Sequence, residues 1–179
     1  MSIQFQPTPY YCEENIWKLA KELDERAQSG QVVFVSNSER VCALWDQKAS
    51  DRGDGLVLWD YHVVFHVDGL LWDLDSRLGF PLPPEDWFAA TFPHGDEIPP
   101  RFLPQFRLVA WPEFERTFSS DRSHMRAPDG GWQAPPPPWP CIGGDKASNL
   151  MQFVDFKAPC PGTVMTLSEV RLAWALSGA

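Results

Sequence analysis

Basic residues are scarce in this chain of 179 residues. Lys and Arg together number 15 against 24 Asp and Glu, leaving a formal net charge of -9. That balance excludes a basic face for nucleic acid or for an anionic membrane surface, so neither partner is expected. No run of about 18 apolar residues occurs, so no transmembrane helix is expected. The leading "MSIQFQPTPYY" lacks a basic region followed by an apolar one, and no signal peptide is read there. Cysteine is sparse too. Cys12, Cys42, Cys141 and Cys160 form no CxxC pair and show no metal-ligand spacing, which leaves no signal for a metal site. Without a secretory signal the thiols are expected reduced, in a cytoplasmic protein whose size gives nuclear access in a eukaryote. No internal repeat is present.

What is abundant is apolar and stiff. The composition is 44% hydrophobic, with nine Trp and eighteen Pro. It suits one globular domain, residues 1–179, with a real core. Apolar residues at Ile16, Leu19, Ala20, Leu23 and Ala27 follow helical spacing and predict an amphipathic helix from Glu13 to about Gln28. Glu13 and Glu14 suit the positive end of its dipole, and Ser29-Gly30 supply a stop. "QVVFVSN", "RVCALWDQ", the long "LVLWDYHVVFHV" (residues 56–67), "LLWDLDSRLGF" and "QFRLVAW" read as strands. "PLPPEDWFAATF" holds at best a short helix, and "PEFERTFSSDRSHM" starts helical and becomes loop. "APDGGWQAPPPPWPC" is irregular, with a polyproline run. "TLSEVRLAWAL" is a C-terminal helix capped by Thr166 or Ser168. A helix followed mainly by antiparallel strands predicts an α+β fold.

The stretch "YYCEENIW" sets Cys12 at the start of the first helix. There the free N–H groups favour a thiolate and could hold an oxyanion. Glu13 and Glu14 oppose this by raising the thiol pKa, so a histidine base is needed. On a period-2 strand Leu58, Asp60, His62, Val64 and His66 share a face. If Asp68-Gly69 form a two-residue turn, Val67 pairs with Leu70, Val64 with Asp73, and His62 with Asp75. Asp73 and Asp75 then lie on the face of His62, one diagonal and one opposite, and either could orient the imidazole. Cys, His and Asp in that chain order match papain-like and transglutaminase-like sites. The loop "FSSDRSHM" is a weaker candidate for substrate contact, with Asp121 and His124 in it.

Together, "YCEENIWKL", "VFVSN", "GDGLVLWDYHVVFHV", "WDLDSRLGFP", "FSSDRSHM" and "PPPPWPCI" resemble the protein N-terminal glutamine amidohydrolase family, in the family's order and over nearly the whole chain. The resemblance implies a single-domain α-β-α sandwich related to papain and transglutaminase folds. It implies deamidation of an N-terminal glutamine to glutamate with release of ammonia, feeding an N-degron pathway. The family's nucleophile maps to Cys12, its base to His62 and its orienting acid to Asp73, with Trp72 in place of the family's Tyr. The expected partners are proteins or peptides with N-terminal Gln, the expected cofactor is none, and a monomer is expected. The substrate's α-ammonium calls for an acid, with Glu13, Asp75 and Asp121 as candidates. Two rivals share the signature: another cysteine-dependent acyl transferase or peptidase, and a non-catalytic reader of N-termini.

Overall fold

A computed structural model describes residues 5–177. Its first helix, α1 (Cys12–Leu23), buries Ile16, Leu19, Ala20 and Leu23 along one side. It stops five residues short of the expected end. Asp24 takes a left-handed φ of 51°, and the polar "DERAQS" continues as a tighter 3-10 stretch, Asp24–Ser29, in which only Ala27 is buried. A segment with a single apolar contact has little to hold it in an α-helical turn.

Five strands form the main sheet: β1 (Gln31–Ser36), β4 (His62–Val67), β5 (Leu70–Trp72), β6 (Gln105–Ala110) and β7 (Thr163–Thr166). Their order is β5-β4-β1-β6-β7, and every neighbouring pair is antiparallel. Two short strands, β2 (Cys42–Leu44) and β3 (Val57–Trp59), make a separate sheet. The alternation of strand residues sorts them between two cores. Val32, Phe34, Val63, Phe65 and Val109 pack with α1, with α3 (Trp111–Thr117) and with α4 (Leu150–Val154). Val33, Val35, Val64, Phe106 and Leu108 pack with α2 (Pro84–Thr91) and α5 (Leu167–Ser177). Helices on both faces of a mainly antiparallel sheet make an α-β-α sandwich, the expected α+β class.

The hairpin register is as read from the sequence. Val67 pairs with Leu70 and Phe65 with Trp72. Asp68 and Gly69 both have positive φ, 54° and 70°, as a two-residue hairpin turn of this type requires. The strand from 56 to 67 is, however, two strands in two sheets. The chain bends at Asp60, whose side chain accepts the Tyr61 N–H and whose carbonyl accepts the Ser36 hydroxyl. Local side-chain bonding has replaced the ladder there. His62 becomes the first residue of β4, and the shared face running from Leu58 is lost: Leu58 is exposed and Val64 fully buried. β5 ends at Trp72, so Asp73 and Asp75 lie in a turn beyond the ladder rather than on a strand.

Thr166 is the cap of α5. Its hydroxyl accepts the Glu169 N–H, and the Glu169 carboxylate reaches back to the Thr166 N–H at 2.7 Å, a reciprocal capping box. Strand β7 and helix α4 are additions to the sequence reading. β7 is a short, mostly exposed edge strand without alternation. α4 has only five residues.

Candidate active site

Cys12 is the first residue of α1, with Tyr11 at the cap position. It is half-buried and lines a cavity of about 760 Å³ shared with His62, Asp75, Trp59 and His124. Burial pushes the thiol well above its ordinary pKa, and the neighbouring Glu13 carboxylate adds to that. Hydrogen bonds from the backbone amides of Val63 and Glu13 pull the other way without prevailing. The helix start therefore does not make this thiol acidic by itself. To act as a nucleophile it would need a base.

The candidate base is His62. His62 Nε2 lies 2.8 Å from Asp73 Oδ1, both side chains buried. Asp73 is further held by the Asp75 N–H at 3.0 Å, the Trp87 indole N–H at 2.9 Å and the Gln47 amide at 3.3 Å. Burial alone would raise its pKa, but the His62 charge and these bonds bring it down to about 2. An ionised Asp73 accepts the proton on Nε2, which fixes the tautomer and leaves Nδ1 as the free lone pair. Nδ1 is buried and carries no hydrogen bond. Trp59 stacks on the ring at 5.5 Å and 17°, holding its plane. Burial lowers the His62 pKa, but Asp73 outweighs it and the net shift is upward.

The two glutamates after Cys12 are both fully buried and face different ways. Glu13 Oε2 accepts the Tyr61 hydroxyl at 3.1 Å and the Cys12 thiol at 3.6 Å. Its Oε1 lies 3.4 Å from His124 Nε2, within ion-pair reach but outside hydrogen-bond geometry. Glu14 receives the Arg122 guanidinium through both carboxylate oxygens, at 2.8 and 3.0 Å, with Ser120 and the Trp139 indole completing its shell. This buried ion pair ties the 118–125 loop and the proline-rich segment to the helix start. It is a structural anchor, and it places His124 at the cavity.

The remaining acid candidates separate. Asp75 lines the cavity, accepts the Ala49 N–H at 3.3 Å, and has its pKa raised by burial. Asp121 accepts the Ser123 N–H at 2.9 Å in a local turn and is not part of the cavity wall. Asp60, which the sequence did not single out, does line it. Trp59, Tyr61, Gln47 and Trp87 also went unread as site residues. Of these only Trp59 and Tyr61 carried a signal, their closeness in sequence to His62.

The other thiols sit elsewhere. Cys42 is buried in β2, its thiol pushed up to about 12 mainly by burial. All four cysteines are free. Among the described residues no cluster of three or more His, Cys, Asp or Glu side chains could hold a metal ion, and no helix is long and apolar enough to cross a membrane.

Comparison with known proteins identifies the family. Residues 7–173 match the model of the N-terminal glutamine amidase family. The protein N-terminal glutamine amidohydrolase of Arabidopsis thaliana is 42% identical over 166 residues, 84% of this chain and 75% of that one. Its namesake from Homo sapiens is 41% identical over 170 residues, covering 89% of this chain and 82% of the relative. That from Drosophila melanogaster is 40% identical over 172 residues, with coverage of 89% and 83%. With the family model spanning residues 7–173 and relatives 40–42% identical over most of the chain, the chain belongs to the N-terminal glutamine amidase family.

Proposed function

We propose that this protein is an amide hydrolase that converts the N-terminal glutamine of proteins and peptides to glutamate, releasing ammonia, with Cys12, His62 and Asp73 as its catalytic residues. The observation that carries the reading is the buried His62–Asp73 pair, which leaves Nδ1 without a partner on a residue that lines the same cavity as Cys12. The names of the 40–42% identical relatives supply the substrate.

The reaction runs in two halves. His62 Nδ1 takes the Cys12 proton, and the Asp73 carboxylate stabilises the imidazolium that forms. The thiolate attacks the γ-carboxamide carbon, and free N–H groups of the first turn of α1 hold the oxyanion. The C–N bond breaks as the imidazolium gives its proton to the departing nitrogen, leaving a γ-glutamyl thioester and ammonia. Water, deprotonated by His62, then adds to the thioester. The C–S bond breaks, and Cys12 is restored with glutamate as product. Every proton moves between Cys12, His62, substrate and water, so no metal or organic cofactor enters.

Selectivity for a chain terminus needs a counter-charge for the α-ammonium. Asp75 is the choice among Glu13, Asp75 and Asp121, because its carboxylate lines the cavity and is raised in pKa by burial, a state that a cation would relieve. Glu13 is already engaged by Tyr61, Cys12 and His124. Acetylating the α-amine of a Gln-initiated peptide should abolish turnover; equal rates on free and blocked peptides would sink this assignment.

A new acidic first residue is the kind of change that feeds an N-degron pathway. The reading places the protein in the cytoplasm and, in a eukaryote, also in the nucleus. It acts as a monomer, with neither nucleic acid nor membrane as partner. Sedimentation at twice the chain mass under assay conditions would contradict the monomer.

A further inference from the structure

A second groove, of about 660 Å³, runs between the 6–10 segment and the proline-rich 134–139 segment. Pro7, Thr8, Pro9, Tyr10 and Ala134 line both it and the catalytic cavity, so the two adjoin along these shared residues. We propose that the substrate's polypeptide chain beyond its first residue leaves the catalytic cavity along this groove, which grips it by apolar contact. The proposal rests on the deamidation reading and adds to it where the rest of the substrate lies.

Three residues that flank Cys12 hold the walls in place. The Asn15 amide accepts the Thr8 N–H at 2.8 Å and donates to the Thr8 carbonyl at 2.7 Å. The Tyr11 hydroxyl donates to the Ala134 carbonyl at 3.1 Å. The Trp139 indole donates to Glu14 at 3.0 Å. The first turn that carries the nucleophile therefore also fixes both sides of the groove. A pre-formed groove costs a ligand less ordering on binding.

The chemistry of the walls names the occupant. Among the described residues no charged side chain lines the groove, and Pro7, Pro9, Pro135, Pro136 and Pro138 are half of its lining residues. Proline has no N–H to donate, so these walls cannot add a strand to themselves by a hydrogen-bond ladder. What remains is contact with proline rings, Tyr10 and Trp139, beside the polar Gln6 and Thr8, a surface that reads shape and apolarity more than sequence. Such a surface suits an enzyme whose substrates share only their first residue. It also gives the "PPPPWP" run a use as a wall of the cleft.

The experiment measures kcat/KM for ammonia release from three substrates: the amide of Gln-Gly, and two Gln-initiated pentapeptides with apolar residues at positions 3 and 5 and either Glu or Lys at position 4. Wild type is compared with Pro138→Lys and Pro138→Glu. Pro138 lines the groove and not the catalytic cavity. Wild type should favour the pentapeptides over the dipeptide by about tenfold, remote contacts being drawn on at the reacting centre. Pro138→Lys should then prefer the Glu-bearing peptide and Pro138→Glu the Lys-bearing one, each by several-fold, with the dipeptide rate unchanged as the sign of an intact fold. Equal rates on all lengths in wild type, or variants that affect all three substrates alike, would overturn the groove while leaving deamidation standing. No ammonia from any substrate would overturn the deamidation reading itself. Length-independent rates together with a dimer that Pro138→Lys dissolves would assign the groove to a second copy of the chain, and the proposal would fail.

Discussion

Asp73 Oδ1 lies 2.8 Å from His62 Nε2, eleven residues away across the open end of the β4–β5 hairpin. The contact forms where the ladder stops at Trp72 and the next residue, Asp73, is fully buried with its carboxylate on the ring nitrogen. Replacing the carboxylate tests whether that contact orients a base. Asp73→Asn can accept a hydrogen bond but cannot balance an imidazolium. Ammonia release should fall by roughly 10²- to 10⁴-fold. The alkylation rate of Cys12 by iodoacetamide at neutral pH should fall with it. A variant with near wild-type turnover would remove Asp73 from the mechanism.

The pH profile follows from the same pair. The neutral imidazole is the active form, and the His62 pKa is raised because Asp73 outweighs burial. Activity should therefore rise with pH through a limb above the ordinary histidine value of about 6.5. In Asp73→Asn burial is opposed only by the more distant charge of Asp75, so the limb of the residual activity should move to lower pH. For stability the signs are opposite for the two partners. The raised His62 contributes fully below pH about 6.5 and loses its contribution as pH rises through its folded pKa. Asp73, lowered to about 2, contributes above its unfolded value and loses that as pH falls towards 2. A kcat/KM profile flat from pH 5 to 9 would contradict this assignment.

Glu13 is expected to hold the resting thiol protonated. Its carboxylate lies 3.6 Å from the sulfur and, after burial, is the strongest influence raising the thiol pKa. Glu13→Gln should shift the pH dependence of Cys12 alkylation to lower pH. It should also loosen His124, which would lose the negative charge 3.4 Å from Nε2. An alkylation profile that stays put or moves to higher pH would show that Glu13 does not act on the sulfur.

Much of this was legible in the sequence. The Asp68-Gly69 turn gave the hairpin register, and the apolar spacing after Glu13 gave α1 and the placement of Cys12 at its start. The bend at Asp60 was not legible, because "LVLWDYHVVFHV" is β-prone throughout and the break comes from two local hydrogen bonds. Asp73 and Asp75 were tied by register alone; the inward turn after Trp72, which three-dimensional packing sets, separates them. Gln47 and Trp87 reach Asp73 from a loop and from the far-side helix α2. No period in the sequence relates them. Arg107 is a similar case. It sits mid-strand in β6, nearly fully buried, and donates to the carbonyls of Phe153, Asp155 and Cys160, a role composition could not reveal.

Glu14 and Arg122 form a buried ion pair that the sequence presented as two ordinary charges. Glu14→Ala leaves the guanidinium buried without its counter-charge and should destabilise the fold by roughly 3–5 kcal/mol, read as a fall in Tm. The double variant Glu14→Met with Arg122→Leu should recover a good part of that loss. Single and double variants with equal Tm would show that the pair is not coupled.

The central claim is that Cys12 attacks the side-chain amide of an N-terminal glutamine. The most direct measurement is ammonia release from a Gln-initiated pentapeptide by wild type and Cys12→Ala, with mass spectrometry of the peptide in parallel. Ammonia and a gain of about one mass unit confined to the first residue are expected, both abolished in Cys12→Ala. A cleaved or cross-linked peptide without ammonia, or full turnover by Cys12→Ala, would contradict it.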